Sequence, residues 1–195
     1  MRIFAAEKGI ELEKVEVDLA NGEQFGDEFR DVNPDCVVPV LELDDGTRIT
    51  EVLAICQYLE ERFPLPPLFG RSPEERAMVT MWNTKVEQQG LWAIMEAFRN
   101  SARGLSGHAI PGPGSFEQIP ELAIRGRKRV ELFLEKLDLN LDDREFLVGD
   151  IYTIADISAM VAIDFMKWIK ISIPDHMANL QRWYESVSSR SGASA

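Results

Sequence analysis

The residues best suited to chemistry lie between Asn33 and Glu61, and their types point to ligand capture. Val37-Val38-Pro39-Val40-Leu41 is strongly β-prone, yet its proline cannot donate to a sheet ladder. A proline opening such a strand is either an edge residue or a cis turn. In the cis form, Val38 offers its backbone N–H and C=O to an extended ligand by strand addition. Glu51 stands where a helix begins. The free N–H groups of a helix start attract a carboxylate, while Glu51 can hold an ammonium. Together they suit the doubly charged amino-acid head of a small peptide-like ligand.

The elements that must position these groups are legible around them. Asp44-Asp45-Gly46-Thr47 is a hairpin turn signal between Leu41-Glu42-Leu43 and Arg48-Ile49-Thr50. The helix that follows carries the apolar stripe Leu53, Ile55, Cys56 and Leu59. Upstream, Arg2 to Gly9 reads as a helix closed by a glycine. Leu12 to Leu19 alternates, with Leu12, Val15, Val17 and Leu19 apolar between charges, and predicts a strand.

The stretch resembles the second half of the thioredoxin-like domain of the glutathione transferases, of the bacterial cytosolic type. The shared pattern is Asn-Pro, then Val-Pro-Val-Leu, a turn, and an acidic residue opening a helix of the form Ala-Ile-x-x-Tyr-Leu. The resemblance implies that Val38 pairs with the cysteinyl backbone of glutathione, that Pro39 is cis, and that Glu51 meets the γ-glutamyl group. The family's usual serine after the glutamate is Val52 here, which leaves only a backbone N–H at that place. Weaker or altered glutathione recognition would follow. In that family's fold, the first strand and the loop bearing the catalytic Ser, Tyr, Cys or Asn would precede Met1. The chain is then an incomplete version of a longer protein, a natural short form, or a module that has lost catalysis. No catalytic residue is assigned within it.

Phe63 to Gly70 is a proline-rich connector, so the expected division is residues 1–63, a linker at 64–71, and an all-helical domain at 72–195. Ser72, Pro73 and Glu75 open a long helix with a capping box, running to about Ser101. It carries Met78, Met81, Trp82, Val86, Leu91, Met95 and Phe98, spacings that predict mostly core. A Gly/Pro-rich loop over Arg103–Pro120 is long enough for a lid or a binding loop. Ile119 to Asn140 reads as a helix with Leu122, Val130, Phe133, Leu134 and Leu137 inward. Thr153 and Asp156 form a capping box before the apolar run Ile157–Ile163, with Tyr152 stapling against Ile157, and Asp156 reads as structural. Transferases carry such a box at the corresponding helix, which extends the resemblance over nearly the whole chain.

Other chemistry-bearing side chains are weaker candidates. Trp92, Phe98, Arg99 and Trp168 can line an electrophile pocket, although aromatic residues at helical spacing also serve as packing. Cys36 is near enough to Pro39 for a glutaredoxin-like thiol role, whereas Cys56 lies on an apolar face. His108 and His176 fit no triad or metal spacing and are expected in solvent, as is Lys14. The 195 residues suffice for one sizeable core or two small domains. A net charge of −12 argues against nucleic acid or an anionic membrane surface as partner. No apolar run approaches the ~20 residues of a membrane span, and two cysteines make no disulfide framework, so a cytoplasmic setting is expected. The resemblance implies glutathione as co-substrate with no metal, a small hydrophobic electrophile, a detoxifying role and a homodimer. The rival is a transferase-like module that binds or assembles without turnover.

Overall fold

A computed structural model describes residues 1–195. Helix α1 (Arg2–Glu7) is followed by Gly9, whose φ of +65° is a backbone state that suits a residue without a Cβ. The first strand formed is β1 (Val40–Glu42), which pairs antiparallel with β2 (Arg48–Thr50) across the Asp44–Thr47 turn. Thr47 N–H is held by the Asp45 carboxylate at 2.9 Å, the side-chain-to-backbone bond that fits this sequence for a tight turn. Short α2 (Asp27–Val32) precedes the hairpin and α3 (Val52–Arg62) follows it. The helical half comprises α4 (Pro73–Lys85), α5 (Trp92–Arg99), α6 (Pro120–Asn140), α7 (Ile154–Phe165) and α8 (Ala178–Ser188).

The strand expected over Leu12–Leu19 does not form. The segment is irregular, and Val15, which the alternation placed inward, is 88% exposed. A strand needs a neighbour to satisfy its backbone, and the sheet here contains only β1 and β2. The long helix expected from Ser72 to about Ser101 is continuous but not uniform. Between α4 and α5 it widens into a π segment at Val86–Leu91. Gly90 lies in this segment, and a Cβ there would sit 2.6 Å from the Phe133 ring of α6. Ser72 Oγ caps the helix by accepting from Glu75 N–H at 3.2 Å, but the Glu75 carboxylate turns to Arg71 N–H at 2.7 Å. Met78 and Met81, expected mostly in the core, are exposed on α4, while Val79 and Trp82 take the buried face.

Two hydrophobic clusters organise the molecule. The larger joins α4 to α8, with Trp183, Phe133, Leu134, Leu137 and Met160 at its centre. The smaller is shared between the halves: Phe4, Ile55, Cys56 and Leu59 pack with Leu68 of the connector, Val79 of α4, and Ile154 and Ile157 of α7. Polar clamps reinforce that junction. Lys8, its side chain wholly shielded, donates to the Phe63 and Pro66 carbonyls at 2.7 Å each and pairs with Glu60 at 2.6 Å. Glu60 also accepts from Leu68 N–H at 3.0 Å, and Arg190 reaches back to Glu7 through both carboxylate oxygens, at 3.0 and 2.7 Å. The proline-rich stretch is thus pinned from both sides.

Candidate functional site

The hairpin register sets out the site. Val40 pairs with Thr50, Leu41 with Ile49, and Glu42 with Arg48. Val38 and Pro39 lead into Val40, while Glu51 and Val52 follow its partner Thr50. All four residues therefore gather at the hairpin end remote from its turn. The Val38–Pro39 bond is cis. Val38 is exposed, and neither its N–H nor its C=O has a partner within the chain. The edge expected to receive an extended ligand is open.

Asn33 builds this edge from behind. It is buried, donates from Nδ2 to the Val37 carbonyl at 2.8 Å, and accepts from Asp35 N–H through its own Oδ1 at 3.1 Å. Its carbonyl accepts from Cys36 N–H at 3.0 Å, so the loop from Asn33 to Val37 satisfies itself and leaves Val38 outward. The Asn-Pro-Asp sequence carried that turn signal, although it gave no hint of the reach to Val37. Cys36 has φ +55° and is buried, with its Sγ directed at the Pro34 carbonyl at 3.6 Å. A shielded thiol so placed does not fit the glutaredoxin-like alternative, which needs an accessible thiolate. Cys56 is core, and burial pushes its thiol up to about 11.

Glu51 is the N-cap of α3 with φ +66° and ψ +125°, a conformation costly for a residue with a Cβ. Its side chain makes no capping bond, so it is free to face solvent. The first-turn N–H groups at Val52 and Leu53 likewise find no acceptor in the chain. An unpaired carboxylate and unmet amides thus adjoin, which suits a ligand head bearing an ammonium and a carboxylate.

The helical half contributes an aromatic shelf and a loop. Phe98 and Trp168 lie with ring centroids 5.1 Å apart, and Trp168 stacks on Phe165 at 4.7 Å. Phe165 was missed by sequence reasoning, because it reads as the last apolar residue of α7. Trp92 is exposed and makes no pair with these rings, so the structure does not bring it to the shelf. Arg99 donates to the His108 carbonyl at 2.6 Å, and burial lowers its affinity for its proton. That bond ties α5 to the Arg103–Pro120 loop, whose base is further clamped by Gln118 donating to the Arg99 and Ala102 carbonyls.

The loop reaches the N-terminal half. The exposed ring of His108, expected simply in solvent, stacks on Phe25 at 5.9 Å between centroids. A Cβ at Gly112 would stand 3.4 Å from the Asp35 carbonyl, so the loop tip lies against the turn that carries Cys36 and Val38. His176 is exposed beside Glu135, Asp138 and Asp142 in a separate hollow of about 340 Å³. Asp156 accepts from Thr153 N–H and Oγ1 at 3.0 and 3.1 Å and is fully buried.

Comparison with known proteins places the fold in a family. The glutathione S-transferase N-terminal domain model matches residues 1–62, and the C-terminal domain model matches residues 109–191. Glutathione S-transferase 2 of Saccharomyces cerevisiae is 31% identical over 195 residues, spanning 97% of this chain and 80% of the relative. Maleylacetoacetate isomerase of Rattus norvegicus is 45% identical over 83 residues, 42% of this chain and 38% of its own length. Among solved structures, a glutathione S-transferase domain-containing protein of Marinobacter aquaeolei superposes with a TM-score of 0.90 at 36% identity, covering 98% of this chain and 92% of its own. With a thioredoxin-like N-terminal half and a helical C-terminal half, the chain belongs to the glutathione S-transferase family.

Proposed function

We propose that the chain binds glutathione along Val38, Pro39, Glu51 and Val52 and presents its thiol to a small hydrophobic electrophile. The observation that carries this reading is the free N–H and C=O of Val38, at the same end of the hairpin as the unpaired Glu51. The cysteinyl backbone pairs with Val38, the γ-glutamyl ammonium meets Glu51, and its carboxylate takes the first amides of α3. In the reaction, the glutathione sulfur, as thiolate, forms a bond to an electrophilic carbon while the leaving group departs with its electron pair. With a disulfide acceptor, the thiolate attacks one sulfur and releases the other as thiolate. Phe98, Trp168 and Arg99 are assigned to the electrophile side, with Phe165 completing the aromatic shelf and Trp92 left outside it. No group within residues 1–195 is assigned to thiol activation.

The functional division follows residues 1–63, 64–71 and 72–195, and the assembly proposed is a homodimer in the cytoplasm. Exposed Met78 and Met81 on α4 support a self-contact through that helix. No helix is long and apolar enough to cross a membrane. A second reading, binding without turnover, is favoured by Val52, which lacks the hydroxyl expected beside a γ-glutamyl carboxylate. Calorimetric titration of glutathione into the folded chain tests the main reading. Saturable binding of one molecule per chain is expected, and its absence overturns the site. Turnover of a generic electrophile in the presence of glutathione then separates transferase from binding module.

A further inference from the structure

We infer that Arg99 makes the electrophile side selective for aromatic acceptors that carry an anionic group, a carboxylate above all. The inference rests on the electrophile-side reading above and names the class of substrate for it. Arg99 uses one contact, the His108 carbonyl, out of the five N–H donors a guanidinium holds. Its Nε is buried and has no acceptor. No carboxylate pairs with it, although Glu96 lies one turn earlier on the same helix. Glu96 is turned away to α6, where Arg125 and Arg129 share its two oxygens. A partly desolvated cation with unmet donors is costly until an anion arrives, and the planar fork of arginine suits a carboxylate in particular.

The surroundings decide what else such a ligand must have. Phe98 precedes Arg99 on α5, and with Trp168, 59% exposed, and Phe165 it forms the aromatic shelf of the helical half. The bond to His108 holds the guanidinium at the base of the loop whose ring contact is Phe25 and whose tip lies on Asp35. The cation therefore stands where the helical half meets the turn leading to Val38. In a chain of net charge −12, a local cation of this kind is what an anionic acceptor requires.

The test titrates S-(4-carboxy-2-nitrophenyl)glutathione and its neutral carboxamide counterpart into the parent chain, Arg99→Gln and Arg99→Lys. The parent is expected to bind the carboxylate at least tenfold more tightly than the amide. Arg99→Gln should level the two affinities, the carboxylate losing far more than the amide, and Arg99→Lys should restore part of the preference. Equal affinities in the parent overturn the inference while the glutathione site stands, because both conjugates still bind. Equal weakening of both ligands by Arg99→Gln also overturns it, since Arg99 then only holds the loop. If neither conjugate binds the parent, the inference and the underlying site fall together.

Discussion

The indole N–H of Trp183 on α8 donates to Oδ1 of Asp156 on α7 at 3.0 Å, with both side chains fully buried. The same carboxylate accepts from Leu147 N–H at 2.9 Å and from Thr153 N–H and Oγ1. A residue that begins as a helix cap thus joins α7, α8 and the turn after α6. Asp156→Ala would leave four buried donors without an acceptor, each worth about 1–3 kcal/mol unpaired. The expected loss is about 3 kcal/mol or more, well beyond a cap alone. Trp183→Phe, which removes one donor and leaves a small cavity in the core, should cost less, about 2 kcal/mol. Urea unfolding of the two variants checks the ranking, and equal losses would contradict it.

The same carboxylate should leave a mark in the pH dependence. Burial pushes Asp156 up to about 6, although its four donors pull the other way. The folded chain therefore holds a proton that the unfolded chain, titrating near 3.8, has released. Stability from this group is fully present below about pH 4 and is lost as pH rises through about 6. Glu96 has the opposite sign: despite its burial, Arg125 and Arg129 hold it below the usual carboxylate range. The comparison is accordingly parent minus Asp156→Asn. Their difference in unfolding free energy should shift against the parent between pH 4.5 and 7.5, and a flat difference would refute the assignment.

Gly126 of α6 faces the backbone of α5. A Cβ there would lie 2.7 Å from both the Ala93 carbonyl oxygen and the Ala97 nitrogen, and backbone cannot swing aside as a side chain can. Gly126→Ala should destabilise by about 2 kcal/mol, the usual cost of overpacking. Gly104→Ala, at a loop position with open space around it, is the matched control and should be neutral. Thermal melting of the pair is decisive, and a Gly126→Ala protein as stable as the control would show that α5 and α6 can part freely.

Which features could be read from the sequence follows from the range of the interactions. The Asp44–Thr47 hairpin, the Ser72 cap and the Thr153/Asp156 box are written in residues a few positions apart, and each formed. The Leu12–Leu19 strand failed for the converse reason: alternation records a preference, but a strand exists only beside another. Lys8 gave no signal, because its acceptors at Phe63, Pro66 and Glu60 lie more than fifty residues away. Met78 and Met81 had the spacing of core residues, yet a helix has more apolar positions than one buried face requires. At the candidate site, Val38, Pro39 and Glu51 were legible as a motif. The Phe25–His108 stack, which brings the loop across to them, was not.

Glu51 holds a backbone conformation that its own side chain opposes, with φ +66° at the start of α3. Strain of this kind costs about 1–3 kcal/mol and persists where something else selects for it. No capping bond or ion pair of Glu51 offsets it within the chain. If the residue is kept for the γ-glutamyl ammonium, stability and binding should move in opposite directions on substitution. Glu51→Gly relieves the strain, less the roughly 0.5–1 kcal/mol that glycine adds in unfolded-chain freedom. The expected net gain is about 1 kcal/mol by urea unfolding. Glutathione affinity should fall at least tenfold in the same protein, the scale of one charge-assisted contact. Glu51→Ala serves as the companion, since it keeps the Cβ and hence the strain: it should lose affinity equally while gaining no stability. If Glu51→Gly binds glutathione as tightly as the parent, the carboxylate plays no part in holding the ammonium and the site must be redrawn around Val38 alone.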